Sequence, residues 1–330
     1  MANSLRENKP FRLVVLAMAT WASMVCLHAL NDVNDTTMVT MHETWMSQYN
    51  RVYNDKVEKE QRYNNFKENV KFIESFNKDS NRTYELGINR FADMTREEFS
   101  AIYNQYKVTH YPSRSPTTPF SHGKVNSVPR RVDWRKRGAV TPAKSQGKCG
   151  ITKISTGKLT RVSVQEIIDC DKYGQGCNGG FLDEAFQFII QNKGLTSAAE
   201  YPYEDKEGTC KRKKAEHSVA RIRGYEYVPA NNERALLNAV SLQPVSAVID
   251  AGSSAIQFYK SGVFTGYCGT EMNHAVAIVG YGSTPAKKYW IVKNSWGSDW
   301  GENGYIRLLR NFKSKEGLCG IAKQGIYPTM

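Results

Sequence analysis

The chain has 330 residues and a formal net charge of +13, with 45 Lys+Arg against 32 Asp+Glu. Hydrophobic residues make up 40% and aromatics 11%, enough for a real core, which excludes wholesale disorder, and the length fits about two domains. Beyond the N-terminal stretch no apolar run approaches the ~20 residues of a membrane-spanning helix, which excludes a multi-span membrane protein.

Residues 1–29 begin with Arg6, Lys9 and Arg12 and continue into an apolar run from Leu13 towards Leu30, with small residues near Ala29. A basic start, a short apolar run and a small-residue end read as a secretory signal peptide; the alternative is a single membrane anchor. Removal of this stretch takes Cys26 with it and leaves six of the seven cysteines for an oxidising compartment.

From Met38 to Asn77 the apolar spacing predicts helix in two stretches, an amphipathic helical hairpin. Trp45, Met46, Tyr49, Val52 and Tyr53 recur at three- and four-residue steps, and Phe66, Val70, Ile73 and Phe76 do so in the stretch Glu58 to Asn77. Thr83 to Asp93 reads as a strand-like segment with a turn. Thr95-Arg-Glu-Glu98 predicts a capping box that opens a short helix. Residues 107–127 hold three Pro, four Ser and three Thr with no apolar period, and predict an exposed, cleavable linker. Residues 128–330 carry 29 basic and 18 acidic side chains, so most of the basic excess lies there. No internal repeat is visible.

Beyond Val128, short apolar strands alternate with Gly-rich turns, and one clear helix is predicted at Phe181–Asn192. Three patterns carry chemistry: Ser145-Gln-Gly-Lys-Cys-Gly150, Met272-Asn-His-Ala-Val-Ala-Ile-Val-Gly-Tyr-Gly282, and Val292-Lys-Asn-Ser-Trp-Gly297 followed by Trp300-Gly-Glu-Asn-Gly-Tyr305. A histidine before an apolar strand, with an asparagine downstream in a Trp/Gly-rich loop, suits a general base and the group that orients it.

With these residues in view, the chain resembles a plant-type papain-family cysteine protease precursor with a cathepsin L-like propeptide. Glu58, Arg62, Phe66, Asn69, Ile73 and Asn77 match the family's ERFNIN motif, and Gly87, Asn89, Phe91 and Asp93 its G-x-N-x-F-x-D motif. Val132-Asp-Trp-Arg135 and Gly176-Cys-Asn-Gly-Gly180 match the N-terminal strand and the substrate-cleft loop of the mature enzymes. The resemblance implies an α+β chain. A helical inhibitory propeptide (38–100) and a linker with the processing site (101–127) precede a papain-like peptidase domain (128–330) with a helical lobe and a β-barrel-like lobe. It also implies roles: His274 as base and acid, Asn294 as its orienter, Trp296 as a shield over that pair, and Gln146 as the oxyanion-hole donor. Gly180 meets the substrate backbone, and Phe181, Val248 and Ala275 wall the apolar specificity pocket; plain core packing is the alternative for Phe181 and Val248. The implied disulfides are Cys149–Cys177, Cys170–Cys210 and Cys268–Cys319. No cofactor or metal is implied.

The nucleophile is missing from this pattern. The family motif around it is C-G-[SA]-C-[WY], but Cys149-Gly150 is followed here by Ile151-Thr-Lys-Ile154. By comparison with the family pattern, roughly a dozen residues are lacking, including the catalytic cysteine and most of the helix after it. The implied pairing leaves Cys149 no role as nucleophile, and neither Ser145 nor Ser155 is placed to replace it. The helical lobe is therefore expected to be incomplete and the chain to be catalytically dead.

Three readings follow. The first is a protease precursor lacking a segment through a skipped exon, a mis-joined gene model or an internal deletion. The second is a non-catalytic pseudoprotease, or a propeptide-type inhibitor or decoy of active relatives. The third is polyanion binding through Lys211-Arg-Lys-Lys214, against which stands an ordinary solvated loop. The expected partners are peptide or protein substrates, the chain's own propeptide and, on the second reading, active family proteases, with no nucleic acid, no membrane and a monomeric state. The expected route is secretory, to a vacuole- or lysosome-like compartment or to the exterior.

Overall fold

The computed structural model describes residues 36–104, 106, 120–121, 127–143, 161–172, 174 and 176–330. The signal-peptide stretch with Cys26, most of the linker, Gln146, Cys149 and the junction after Gly150 lie outside the described residues. The chain divides into two compact units, Met1–Asn69 and Val70–Met330, with the division inside a helix.

The first unit is helical. Helix α1 covers 36–48, and α2 runs Lys56–Asn77. Both helices of the hairpin predicted between Met38 and Asn77 are thus present. Asn50 adopts φ +50°, which ends the first helix, and Asp55 and Glu58 start the second. Asp55 Oδ1 accepts from the Glu58 N–H at 2.8 Å, which satisfies one free donor of the first turn, while Glu58 Oε2 accepts from the Asn54 N–H at 2.9 Å just before the helix. Trp45 and Phe66 are buried and pack with ring centroids 5.3 Å apart, and His42 lies 5.0 Å from Phe66.

In the second unit, Asn77 closes the end of α2 onto strand β1 (Tyr84–Leu86). Its side chain donates to the Leu86 carbonyl at 2.8 Å and accepts from the Leu86 N–H at 3.0 Å. The strand is shorter than the predicted Thr83–Asp93 segment because Asn89 folds the chain back. Its Oδ1 accepts from the Phe91 N–H at 3.0 Å and its amide donates to the Gln257 carbonyl at 2.7 Å. Helix α3 (Arg96–Tyr103) opens with the predicted capping box between Thr95 and Glu98.

Eight further strands follow: β2 (Val132–Asp133), β3 (Gly224–Val228), β4 (Val245–Ile249), β5 (Tyr259–Phe264), β6 (His274–Ser283), β7 (Lys288–Lys293), β8 (Tyr305–Leu309) and β9 (Gly325–Thr329). The sheet order is β1-β5-β8-β7-β6-β4-β9-β3, with β2 paired to β6. Among the described strands these pairings are antiparallel except β5 with β8. β1 therefore forms the edge of the sheet beside β5. The approach requires glycine at 262, where φ is +98° and a Cβ would stand 2.5 Å from the Thr83 carbonyl oxygen.

The predicted helix at Phe181–Asn192 is present as α5 (Leu182–Gln191); α4 (Val164–Cys170) lies before it. Sequence periodicity missed α4, α6 (Glu233–Leu242) and the short α7 (Ser254–Gln257). The start of α6 is marked by Asn232, whose side chain accepts from the Ala235 N–H. One buried cluster is built on the sheet around Trp290, Trp296, Trp300 and Tyr259; a second joins α4 and α5 to β3 through Ile167, Phe186, Ile189 and Tyr225.

Candidate active site

Pairing of β4 with β6 aligns Ile249 with His274 and Val248 with Ala275, so His274 opens β6 at a fixed register. Asn294 directly follows β7, the other neighbour of β6, and its N–H donates to the Gly304 carbonyl at 2.9 Å. Gly304 cannot be replaced cheaply: its φ is +84°, and a Cβ there would lie 2.3 Å from that of Ala143. This framework brings together two residues 20 positions apart. Nε2 of His274 lies 2.8 Å from Oδ1 of Asn294. The same oxygen accepts from the Ser295 N–H at 2.7 Å, which fixes it as the acceptor facing the ring.

Trp296 covers the pair. Its ring centroid is 4.7 Å from that of His274 and 4.8 Å from that of Trp300, and it is 2% exposed. Its indole Nε1 is buried and finds no hydrogen-bond partner among the described residues. From the other side Phe99 of α3 meets Trp296 edge-on at 4.9 Å and Phe91 does so at 6.0 Å.

The second ring nitrogen of His274 is also occupied. Nδ1 lies 3.0 Å from the backbone carbonyl oxygen of Tyr103, the last residue of α3. Both neighbours of the imidazole are therefore acceptors. A neutral ring donates to one of them, and an imidazolium donates to both. Burial holds the pKa of His274 below its ordinary 6.5, against the upward pull of Asn294 and of the Tyr103 carbonyl.

Phe181, immediately before α5, Val248 and Ala275 gather in the cluster built on α4, α5 and β3, with Gly180 adjoining Phe181 in sequence. Tyr106 is buried in the same cluster. Its ring meets that of Phe181 edge-on at 5.8 Å, its N–H donates to the Asn273 carbonyl at 3.1 Å, and its hydroxyl donates to Gln324 Oε1 at 3.2 Å. Burial, with Asp183 nearby, raises the Tyr106 pKa, so the phenol stays protonated. Sequence reasoning missed Tyr103, Tyr106 and Gln324 as parts of this site. The available signal was the run Phe99, Tyr103, Tyr106 at helical steps after the capping box.

Cys170–Cys210 and Cys268–Cys319 are disulfide-bonded, and Cys177 is disulfide-bonded as well; Cys149, its expected partner, lies outside the described residues. Among the described residues no group of His, Cys, Asp and Glu is arranged to hold a metal ion, and no helix is long and apolar enough to cross a membrane. In the basic run, Lys211 Nζ is tied to Glu204 at 2.5 Å. The linker, predicted to be exposed, touches the body at its described residues: the N–H and hydroxyl of Ser121 both donate to buried Glu226 at 2.9 Å, and the ring of Phe120 lies 6.4 Å from that of Tyr327.

Residues 128–329 match the model of the papain family cysteine proteases, and residues 42–99 match that of the cathepsin propeptide inhibitor domain (I29). The chain belongs to the papain family of cysteine proteases. The senescence-specific cysteine protease SAG39 of Oryza sativa subsp. japonica is 47% identical over 313 residues, covering 90% of this chain and 91% of the rice protein. Ananain of Ananas comosus is 46% identical over 332 residues, covering 96% and 95%. The crystal structure of the Amb a 11 cysteine protease, a major ragweed pollen allergen, in its proform superposes with a TM-score of 0.81 at 41% identity, covering 89% of this chain and 94% of that one. The papain-like fold with its propeptide is thus present, and the family's function is that of a cysteine protease.

Proposed function

We propose that this chain is the precursor of a papain-like cysteine endopeptidase whose site is assembled except for its nucleophile, so that as written it cleaves no peptide bond. The observation that carries the reading is the state of His274. Its orienter and shield are in place, yet its remaining nitrogen faces a backbone carbonyl, and every described cysteine is locked in a disulfide. The comparisons support a missing stretch. The span shared with ananain is 332 positions, more than the 330 residues of this chain, although only 96% of the chain takes part. Relatives therefore carry residues that have no counterpart here.

In this reading His274 is the base and acid, Asn294 holds its ring, Trp296 keeps water from the pair, and Gln146 donates to the oxyanion. Gly180, Phe181, Val248 and Ala275 receive the peptide. A cysteine thiolate attacking the peptide carbonyl, with its proton held by the imidazole, completes the reaction in an intact relative. Residues 1–29 are the signal peptide, 38–100 the inhibitory propeptide, 101–127 the linker with the processing site, and 128–330 the peptidase part. The destination is a vacuole-like compartment or the exterior, consistent with the disulfides.

The docked aromatic segment Phe99–Tyr106 favours a second reading, a non-catalytic binder or an inhibitor of active relatives. Two experiments separate the readings. Sequencing the transcript across the codons for Cys149 to Ile151 reveals a skipped or mis-joined segment. Inserting a family helix containing Ser-Cys-Trp between Gly150 and Ile151 should then create a protease blocked by thiol alkylation and by His274→Ala. An uninterrupted transcript together with an inactive, correctly folded insertion chain favours the second reading.

A further inference from the structure

We propose that the corner of the sheet carrying Arg130, Arg131, Lys136, Arg137, Lys287 and Lys288 is a binding surface for a polyanionic polysaccharide, a sugar chain with a carboxylate or a sulfate on most of its units. The inference stands apart from the nucleophile and from peptidase activity. It starts from sheet register. Val132 of β2 pairs with Tyr281 of β6, and Tyr281 pairs with Trp290 of β7, so the β2 and β7 backbones run about 10 Å apart across β6. Basic residues stand at the same end of both strands. Arg130 and Arg131 directly precede β2; Lys287 and Lys288 lead into β7, where Lys288 pairs with Ser283. Tyr281 ties this end together. Its hydroxyl donates to the Pro129 carbonyl at 3.0 Å, and the charges of Arg310 and Arg137 both pull its pKa down against the upward push of burial.

The charge at this corner is unbalanced. Lys287 is half-buried and the other five side chains are exposed, and among the described residues none of the six forms an ion pair. Asp133 is the only acid in 127–143, and 281–293 contain none. Asp133 is already taken by Arg135 through two bonds of 2.9 Å. Glu233, which faces Arg310, is held by Trp290 Nε1 at 2.9 Å and by the Phe312 N–H at 3.2 Å. Like charges this close lie within about a Debye length of ~8–10 Å, and a chain of anions relieves their repulsion. Arg137 is packed over the Trp134 ring at 4.8 Å, which holds its guanidinium in place and covers that indole. No large apolar side chain of 127–143 or 281–293 is exposed. The surface therefore has nothing to insert into a membrane and no free ring for a nucleic-acid base to stack on. The disulfides also place the chain in an oxidising compartment, away from nucleic acid. The basic run Lys211–Lys214 differs. Lys211 is paired with Glu204, Lys211 and Lys214 each lie 5.8 Å from the Tyr201 ring, and Glu200, Asp205, Glu207 and Glu216 flank the run in sequence.

Binding of the full chain to fluorescently labelled polysaccharides at neutral pH, across a salt series, tests the inference. Polygalacturonate presents carboxylates, dextran sulfate presents sulfates, and unmodified dextran is the uncharged control. One or both of the charged chains should bind, dextran should not, and the arm that binds tighter names the anionic group. R130Q/R131Q and K287Q/K288Q, made separately and checked for an unchanged melting temperature, should each weaken binding by about tenfold and flatten its salt dependence, because each lost cation releases one counterion fewer. R130K/R131K, which keeps the charge, should bind nearly as wild type. R212Q/K213Q, in the other basic run, should leave affinity unchanged. Three results overturn the inference: no binding of either charged polysaccharide at low salt, an equal loss in R212Q/K213Q, or tighter binding to a single-stranded oligonucleotide or to phosphatidylserine vesicles than to both polysaccharides. None of these outcomes bears on whether the chain cleaves peptides, so the proposed function and this surface fail separately.

Discussion

Nε2 of His274 stands 2.8 Å from Oδ1 of Asn294, and the ring of Trp296 lies over the pair with 2% of its surface exposed. On the proposed reading this is the bond between a base and its orienter, with an indole keeping water away. The bond also contributes to stability. Asn294→Ala leaves a buried imidazole nitrogen and the Ser295 N–H short of their acceptor, which costs about 1–3 kcal/mol. Urea denaturation of the variant should show that loss with an unchanged m-value. Wild-type stability would mean that the contact is not formed in solution.

Trp296 has a larger structural effect. It touches His274, Trp300, Phe99 and Phe91. Trp296→Ala should lower stability by about 3–5 kcal/mol, the range for removing a large buried aromatic. Trp296→Phe, which keeps an aromatic face, should lose clearly less. Equal melting temperatures for the two variants would contradict the packing described here.

The buried His274 has a pKa below 6.5, so its neutral form is the one the fold prefers. The stability this contributes is complete above the unfolded-state value and is lost as pH falls below it, towards the folded-state pKa. Denaturation of wild type and His274→Gln at several pH values checks the sign. The destabilisation caused by the substitution should be greatest above pH 6.5 and should shrink at lower pH. A penalty that grows on acidification would show that the folded protein prefers the imidazolium.

On the proposed reading Cys26 leaves with the signal peptide, and all remaining cysteines are expected to be paired. Cys170–Cys210, Cys268–Cys319 and bonded Cys177 account for five of them, and Cys149 is the sixth. A thiol assay on processed, denatured and unreduced protein should read near zero. About one thiol per chain would sink this pairing and would restore a candidate nucleophile.

Local features were legible in the sequence because their causes are local. The capping box at Thr95 and Glu98, α5, the strand start at His274 and the loop position of Asn294 all follow from spacing within a few residues of each site. The two helices of the hairpin were legible, but the end of α1 was not, because apolar spacing continues through Val52 and Tyr53 while Asn50 turns the backbone to φ +50°. Helix α6 was hidden by its nearly continuous burial, which erases the contrast that periodicity detects. Tyr103 and Tyr106 could not be assigned to the site, since their partners lie far along the chain: 171 positions separate Tyr103 from His274 and 218 separate Tyr106 from Gln324. No local pattern encodes such contacts. The family motif did expose what local physics could not, the absence of a Ser-Cys-Trp element after Gly150.

The most direct test of the account is peptidase activity of the unmodified chain. Purified free of host proteases, it is offered a dipeptide substrate with an apolar side chain at the second position from the cleaved bond, at mildly acidic pH, with and without thiol alkylation. In a triad protease, loss of the nucleophile costs on the order of 10⁶ in turnover, so the predicted result is no activity above the His274→Ala control. Turnover that is present in the unmodified chain, lost on alkylation and lost in the His274→Ala variant would show that another cysteine has taken the nucleophile's role, and would contradict the central claim.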